Sequence, residues 1–337
     1  MRMHIGVDSF VEIVPGADPV ERVAQLMEEV VLADRVGLDA YGIGEHHREE
    51  YIASSPAVLL AAAAAVTKKI RLTSAVTVLS SDDPVRVFQD FATVDLLSQG
   101  RAEIIVGRGS FIESYPLFGF DLEDYDELFR EKLDLLLKLR EETRVTWAGK
   151  HRAALSGQGV YPRPQQKKLA IRLGVGGTPA SFARAGTLGL PLTVAIIGGE
   201  PHRFRPLIEM YREAGRRAGH AAEDLTVHVH AIGLVADTTE QAAEDLWPSY
   251  AATFTRIGRE RGWGPTTRAA YDATRGATGA FLIGDPETVA KKMWHIGDAL
   301  GEVEQISLVM SGGPLEHAKV MRSIELLGTK VRPMVQG

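Results

Sequence analysis

Cysteine is absent from all 337 residues, so disulfides, thiolate metal sites and a cysteine nucleophile are excluded at the outset. No uninterrupted apolar stretch reaches the ~18 residues that mark a membrane-spanning helix, and the run Ala57 to Val66 is too short to cross a bilayer. The first residues, Met1-Arg2-Met3-His4-Ile5-Gly6-Val7, enter a strand-like pattern directly, without the long apolar stretch and small-residue cleavage site of a signal peptide. A cytoplasmic protein with no membrane contact is the expectation. Basic charge is not in excess either. Lys plus Arg number 38 against 44 acids, a formal charge of -6, which argues against general nucleic-acid binding.

What the chain does have is a large apolar fraction, 45%, and a repeating order of elements. The length suits two domains or one large α/β barrel. Strand-like stretches fall at Met3 to Phe10, Ala40 to Gly44, Ile70 to Leu79, Arg101 to Val106, Leu169 to Val175, Leu192 to Ile197, Leu225 to Val235 and Gln305 to Met310. A helical pattern follows each, with entries at Asp18-Pro19, Ser55-Pro56, Asp83-Pro84 and Thr178-Pro179. Eight strand-then-helix units joined by right-handed crossovers predict a (β/α)8 TIM barrel spanning 1–337 as one domain. A six-stranded doubly wound sheet would leave two units without a place. The rhythm stalls at 143–168 and 251–284, read as insertions at the C-terminal mouth.

In such a barrel ligands bind at the C-terminal ends of the strands. Those ends carry Glu45, His46 and His47 after the second strand, Ser74, Ala75, Val76 and Thr77 late in the third, and Arg108 between Gly107 and Gly109 after the fourth. Gly176, Gly177, Thr178 and Ser181 follow the fifth, Gly198 and Gly199 the sixth, and Ser311, Gly312 and Gly313 the eighth. Glycines let backbone amides approach an anion, and a helix N-terminus adds partial positive charge. Gly-Gly-Thr-Pro fits a phosphate cradle or an ordinary helix entry, and Arg108 fits a phosphate contact or a salt bridge. His46 and His47 fit a metal pair, a general base or plain loop residues. Adjacent histidines on a strand point to opposite faces and no HExxH spacing occurs, so one imidazole acting alone suits the pattern better than a metal pair. Tyr115, Phe118 and Trp147 fit an apolar pocket wall or the core.

The strand-2 ending, together with Leu79-Ser80-Ser81-Asp82-Asp83-Pro84-Val85-Arg86, Asp95 to Arg101, Val106-Gly107-Arg108-Gly109, Gly157 to Pro164 and Gly176-Gly177-Thr178-Pro179, resembles the bacterial luciferase-like family of flavin-dependent monooxygenases over nearly the whole chain. The resemblance implies a barrel with an FMN site at its C-terminal mouth, usually in a homodimer. It implies His46 as a base near the flavin with Glu45 beside it, and a non-prolyl cis peptide at Ala75–Val76. It further implies Arg108, Thr178, Ser181 and the Gly177 amide as phosphate contacts, with Ser74, Gly107, Gly176, Gly198 and Met310 in the same cofactor set. Two positions depart from the family pattern. Gly107 stands where luciferase has a cysteine, so light emission is not implied, and Asp126 stands where a second phosphate arginine is expected, which leaves Arg163 or backbone amides to replace it.

The expected activity is oxygenation of a small organic substrate by reduced FMN and O2. NAD(P)H would act directly or through a partner flavin reductase; the missing nicotinamide fingerprint favours the partner. Rival readings are F420-dependent hydride transfer, a non-catalytic flavin-binding subunit and, from another class, a divalent-metal barrel hydrolase.

Overall fold

Helix entries are marked by side chains that satisfy free helix amides. Asp18 accepts from the Val20 N–H, and Asp83 from the Val85 and Arg86 N–H groups, each with proline at the first helical position. These residues start α1 (Pro19–Arg35) and α3 (Pro84–Ser98). Between them α2 (Pro56–Val66) begins after Ser55, whose hydroxyl makes no cap bond. The other principal helices are α4 (Tyr125–Glu141), α5 (Pro179–Thr187), α6 (Arg205–Arg217), α7 (Thr239–Arg261), α8 (Pro286–Leu300) and α9 (His317–Leu326). The computed structural model describes residues 2–310 and 315–337; the strand-end residues Ser311, Gly312 and Gly313 lie outside them.

Eight parallel strands close into a barrel: β1 (His4–Ser9), β2 (Ala40–Ile43), β3 (Arg71–Ser74), β4 (Ala102–Gly107), β5 (Ala170–Val175), β6 (Leu192–Ile196), β7 (Val227–Val235) and β8 (Gln305–Val309). Neighbours pair in chain order, β8 lies between β1 and β7, and β6 joins β7 in the register Leu192 to Val227. The predicted (β/α)8 fold is the observed one. Only the third strand departs from its expected span. It stops at Ser74 and resumes as Thr77–Val78 against β4, with a cis peptide at Ala75–Val76 between the two pieces.

Side chains alternate across the barrel wall. Val7, Leu72, Ile104, Leu173, Val229 and Leu308 face outward into one apolar layer under the helices. The inner face at the N-terminal end is ionic: Arg172 lies 2.9 Å from Glu103 and 3.2 Å from Glu304, and His228 Nε2 lies 3.0 Å from the same Glu304 oxygen. Burial alone would raise the Glu103 carboxyl, but the Arg172 and Arg71 guanidiniums outweigh it and hold the group below its ordinary range.

The stretch 143–168 is an antiparallel hairpin, Arg144–Trp147 with Leu155–Gly159, laid along α4. At its tip the amides of Lys150, His151 and Arg152 donate to Glu131, in the first half of the helix. The stretch 251–284 holds the end of α7, the short helix Arg268–Thr274, and a strand Leu282–Gly284 that pairs with the last residues of β7. Tyr250, Tyr271 and Phe281 bind this excursion to Ile232 and Leu234 of β7 as a separate apolar cluster. Among the described residues no helix is long and apolar enough to cross a membrane.

Candidate active site

The two histidines after β2 diverge as strand alternation requires. His46 is buried among three rings, Phe10 at 4.7 Å, Tyr51 at 4.4 Å and Phe111 at 5.2 Å between centroids. Burial, with His47 and Arg48 nearby, pushes its imidazole from the ordinary 6.5 to about 3, so the ring is neutral in any ordinary buffer. Its Nε2 has no hydrogen-bond partner among the described residues. A neutral imidazole with a free nitrogen, shielded from water, is equipped to exchange a proton with a bound molecule.

Glu45 is engaged through both oxygens. Oε1 lies 2.9 Å from His47 Nε2, and Oε2 accepts the Val78 N–H at 2.8 Å. The carboxylate therefore fastens His47 to the segment just beyond the cis peptide, so Glu45, expected in the catalytic set beside His46, is engaged here as a brace. Burial and the nearby Glu45 charge raise the Asp82 carboxyl to about 6.

The third and fourth strand ends form a bed across the mouth. A β-carbon on Gly107 would stand 2.7 Å from Val76 Cγ2, and one on Gly174 would stand 2.9 Å from Val76 Cγ1, so both glycines make room for that side chain. This contact by itself requires glycine at 107. Ser74 is fully buried; its hydroxyl accepts from the Ile105 N–H and donates to the Ile105 carbonyl, both at 3.1 Å. Its side chain stitches β3 to β4 and is not free to meet a cofactor, contrary to expectation. Ala75 is buried too, with 9% of its surface exposed.

Next to this bed lies a cationic cluster at the N-terminus of α5. Arg108 donates to Ser181 Oγ at 3.3 Å and to Asp126 Oδ1 at 2.5 Å, and its guanidinium covers the Tyr125 ring at 5.1 Å. Thr178 is the N-cap residue of α5 but makes no cap bond, so its hydroxyl is not used by the helix. A β-carbon on Gly176 or Gly198 would meet nothing within 4 Å, and one on Gly177 only the Phe204 ring edge at 4.0 Å. Two further arginines join the cluster: burial, then the charges of Arg130 and Arg108, hold the Arg184 guanidinium below its ordinary range. Like charges gathered beside a free helix N-terminus suit a phosphate.

A salt-bridged roof covers His46. Arg48 contacts Glu260 at 2.6 Å, Glu113 at 3.2 Å and Glu50 at 3.3 Å, and stands 4.6 Å over the Phe111 ring. It thereby ties the loops after β2 and β4 to the end of α7. Arg261 adds a bond to the Ser110 carbonyl.

Of the alternatives left open for Arg163 and Trp147, the structure takes one in each case. Arg163 does not serve an anion: it donates to the carbonyls of Leu139, Arg140 and Glu142 at the C-terminal end of α4. Trp147 belongs to the hairpin and packs on the outer core, whereas Tyr115 and Phe118 lie near the mouth, Phe118 against the His47 ring at 5.2 Å. Met310 ends β8 beside β1, its amide donating to the Asp8 carbonyl at 3.2 Å. The residues that sequence reasoning missed, Phe10, Tyr51, Phe111, Arg48, Arg130 and Arg184, carry no local motif. Arg130 and Arg184 alone had a positional signal, one helical turn from Asp126 and Ser181.

Comparison with known proteins bears on the fold and the family. The protein y4vJ of Sinorhizobium fredii is 32% identical over 126 residues, 37% of this chain and 36% of that protein. A second relative from the same organism, y4wF, is matched over 39% of its length, so the chain spans well under half of these two curated relatives. Solved structures share the fold over full length. Monooxygenase RslO1 from Streptomyces bottropensis superposes with a TM-score of 0.83 at 23% identity, covering 98% of this chain and 99% of that one. The oxygenating constituent of 3,6-diketocamphane monooxygenase from Pseudomonas putida, in complex with FMN, gives 0.80 at 20% identity with 99% of each chain covered. An F420-dependent secondary alcohol dehydrogenase gives 0.79 at 18% identity with both chains fully covered. A family profile described as Luciferase-like monooxygenase matches residues 3–301. The chain belongs to the luciferase-like monooxygenase family.

Proposed function

We propose that this protein is an FMN-dependent monooxygenase that oxygenates a small organic substrate without emitting light. The observation that carries the reading is the arginine–hydroxyl cluster, Arg108 with Ser181 and the unused Thr178 hydroxyl, set beside the Val76 bed. Arg108, Ser181, Thr178 and the Gly177 amide would hold the FMN phosphate, and Ala75 and Val76 would lie under the ring. FMN, when bound and reduced, supplies the electrons that activate O2 and so deliver one oxygen atom to the substrate. His46 holds or moves a proton at Nε2, the three rings around it exclude water, and Glu45 keeps the bed in register with the imidazole.

The reading includes a separate reductase that draws on NAD(P)H, a cytoplasmic setting and a homodimer. For the dimer we take α2 as the contact: its eleven residues carry no polar side chain, yet Val58 and Val66 are 66% and 50% exposed. Sedimentation of wild type and a Val58→Asp, Val66→Asp variant tests it, and a wild-type monomer removes it. For the activity, photoreduced FMN and protein are mixed with isotopically labelled O2 and candidate substrates. Label in the organic product is the expected result. Labelled water only, together with turnover using reduced F420, favours the hydride-transfer reading instead.

A further inference from the structure

We infer that Asp8 and His230 form a second proton-transfer pair at this site, in which His230 Nε2 accepts the proton of an acidic hydroxyl, an enol or a phenol, on the organic substrate. The inference rests on the flavin reading only in placing a substrate at the barrel mouth.

Both residues face the barrel interior. Their neighbours Val7, Val229 and Ala231 pack outward under the helices, so alternation turns Asp8 and His230 inward. They come from β1 and β7, strands separated by β8, and meet across Ser307, which is in register with His230. His230 Nδ1 lies 2.8 Å from Asp8 Oδ2, with side-chain exposures of 8% and 1%. Asp8 also reaches the flavin side of the mouth. A β-carbon on Gly42 would collide with Asp8 Oδ1 and stand 2.9 Å from the Ala75 methyl, so the carboxylate occupies the space over Gly42 beside the Ala75–Val76 bed. The pair thus spans from β7 to the bed on which the ring is proposed to lie.

His230 Nε2 has no hydrogen-bond partner among the described residues, and neither has either Asp8 carboxylate oxygen, so the 2.8 Å approach of Nδ1 to Oδ2 is an ion-pair contact that leaves the carboxylate otherwise unengaged. His228, two residues earlier on the same inner face, differs: Glu304 already engages its Nε2. The cations Arg172 and Arg71 are tied to Glu103, Glu304 and Gln305 in that lower layer. Asp8 is therefore the charged group set against His230, and the nearest cations of the inner face are already engaged below it.

An imidazole whose Nδ1 is set against a carboxylate keeps its proton there and presents a lone pair at Nε2. A substrate hydroxyl donates to that lone pair. On transfer the O–H bond breaks, an N–H bond forms at Nε2, and the electron pair stays on oxygen. The Asp8 carboxyl, 2.8 Å from Nδ1, faces the positive charge that develops on the ring. The oxyanion raises the electron density of the conjugated carbon, which would make that carbon the more reactive toward an electrophile. Among the described residues no carboxylate pairs with His46, so the two imidazoles do different work. His230 is the base for the substrate, and Asp8 is its positioning residue.

The test uses 4-nitrophenol, whose phenolate absorbs in the visible, titrated into the purified full-length protein below the probe's own ionisation. Wild type should develop a saturable phenolate band. His230→Gln should lose it. Asp8→Asn should retain it only at higher pH, a shift that a purely structural role for Asp8 would not produce. His230→Asn serves if the glutamine variant does not fold, as judged by its melting curve. No saturable binding, binding without the band, or an undiminished band in the His230 variants overturns the inference. FMN titration of the same proteins separates the two readings. Unchanged FMN binding with a band indifferent to His230 removes the pair alone, and a His230-dependent band in a protein that does not bind FMN removes the flavin reading alone.

Discussion

Arg108 and Asp126 form an ion pair, 2.5 Å between Nη1 and Oδ1, beside the N-terminus of α5. Asp126 is 70% exposed on its side chain and Arg108 24%, so the bond is partly screened and can be exchanged for a stronger anionic partner. An incoming phosphate dianion has to replace the carboxylate. Asp126→Asn is therefore expected to tighten FMN binding by about three- to tenfold, and Arg108→Ala to weaken it by about ten- to a hundredfold. Riboflavin, lacking the phosphate, should respond to neither. Fluorescence titration of the two flavins checks this, and tighter riboflavin binding by Asp126→Asn would show an effect on the ring instead.

His46 predicts both a kinetic and a stability signature. Replacement by alanine should leave FMN affinity unchanged while lowering turnover by about a hundredfold or more. Its imidazole is held near 3 in the folded protein against 6.5 ordinarily, so between these values the unfolded chain binds the extra proton. Stability then falls as pH drops from about 6.5, with this one group contributing a slope of ~1.4 kcal/mol per pH unit. His228, depressed to about 4 by burial and Arg172, adds a slope of the same sign. Melting curves across this acid range should be flatter for His46→Gln than for wild type. Equal slopes would place His46 in contact with water.

Arg48 joins three carboxylates from two loops and α7 over His46. Arg48→Ala should raise protection-factor loss selectively in residues 48–51 and 110–113, with global melting changed by only ~1 kcal/mol, because its partners are partly exposed. Hydrogen exchange measures this. Unaltered exchange in both loops would mean that the roof is held by Phe111 and the apolar contacts.

At the opposite end of the barrel, Arg172→Met would leave Glu103 buried without its nearest cation. A loss of about 3–5 kcal/mol in denaturant unfolding is expected, whereas the double change with Glu103→Leu should recover much of it. An additive double variant would contradict direct coupling between the pair.

The order of strands, their ends and most helix starts were legible because local patterns specify them: alternating apolar residues, and Asp-Pro pairs whose carboxylates cap the next amides. Those same ends exposed His46, Arg108, Thr178 and Ser181. What escaped notice depends on long-range register. Arg48 meets Glu260, 212 positions away, and no spacing along the chain announces that bond. Asp8 and His230 each look like an isolated polar residue in an apolar strand until β8 brings β1 and β7 around it. Glu45 borders a histidine in the sequence, but that its two oxygens engage His47 and the Val78 amide depends on how β2 and β3 meet. The hairpin at 143–168 hid behind glycines and polar residues because it packs along one helix rather than in the barrel wall.

Equilibrium titration of the purified protein with FMN and, in parallel, with F420 tests the central claim most directly. The account predicts saturable quenching of FMN fluorescence that is lost in Arg108→Ala and kept in His46→Ala. Saturation by F420 with no saturable response to FMN would contradict it.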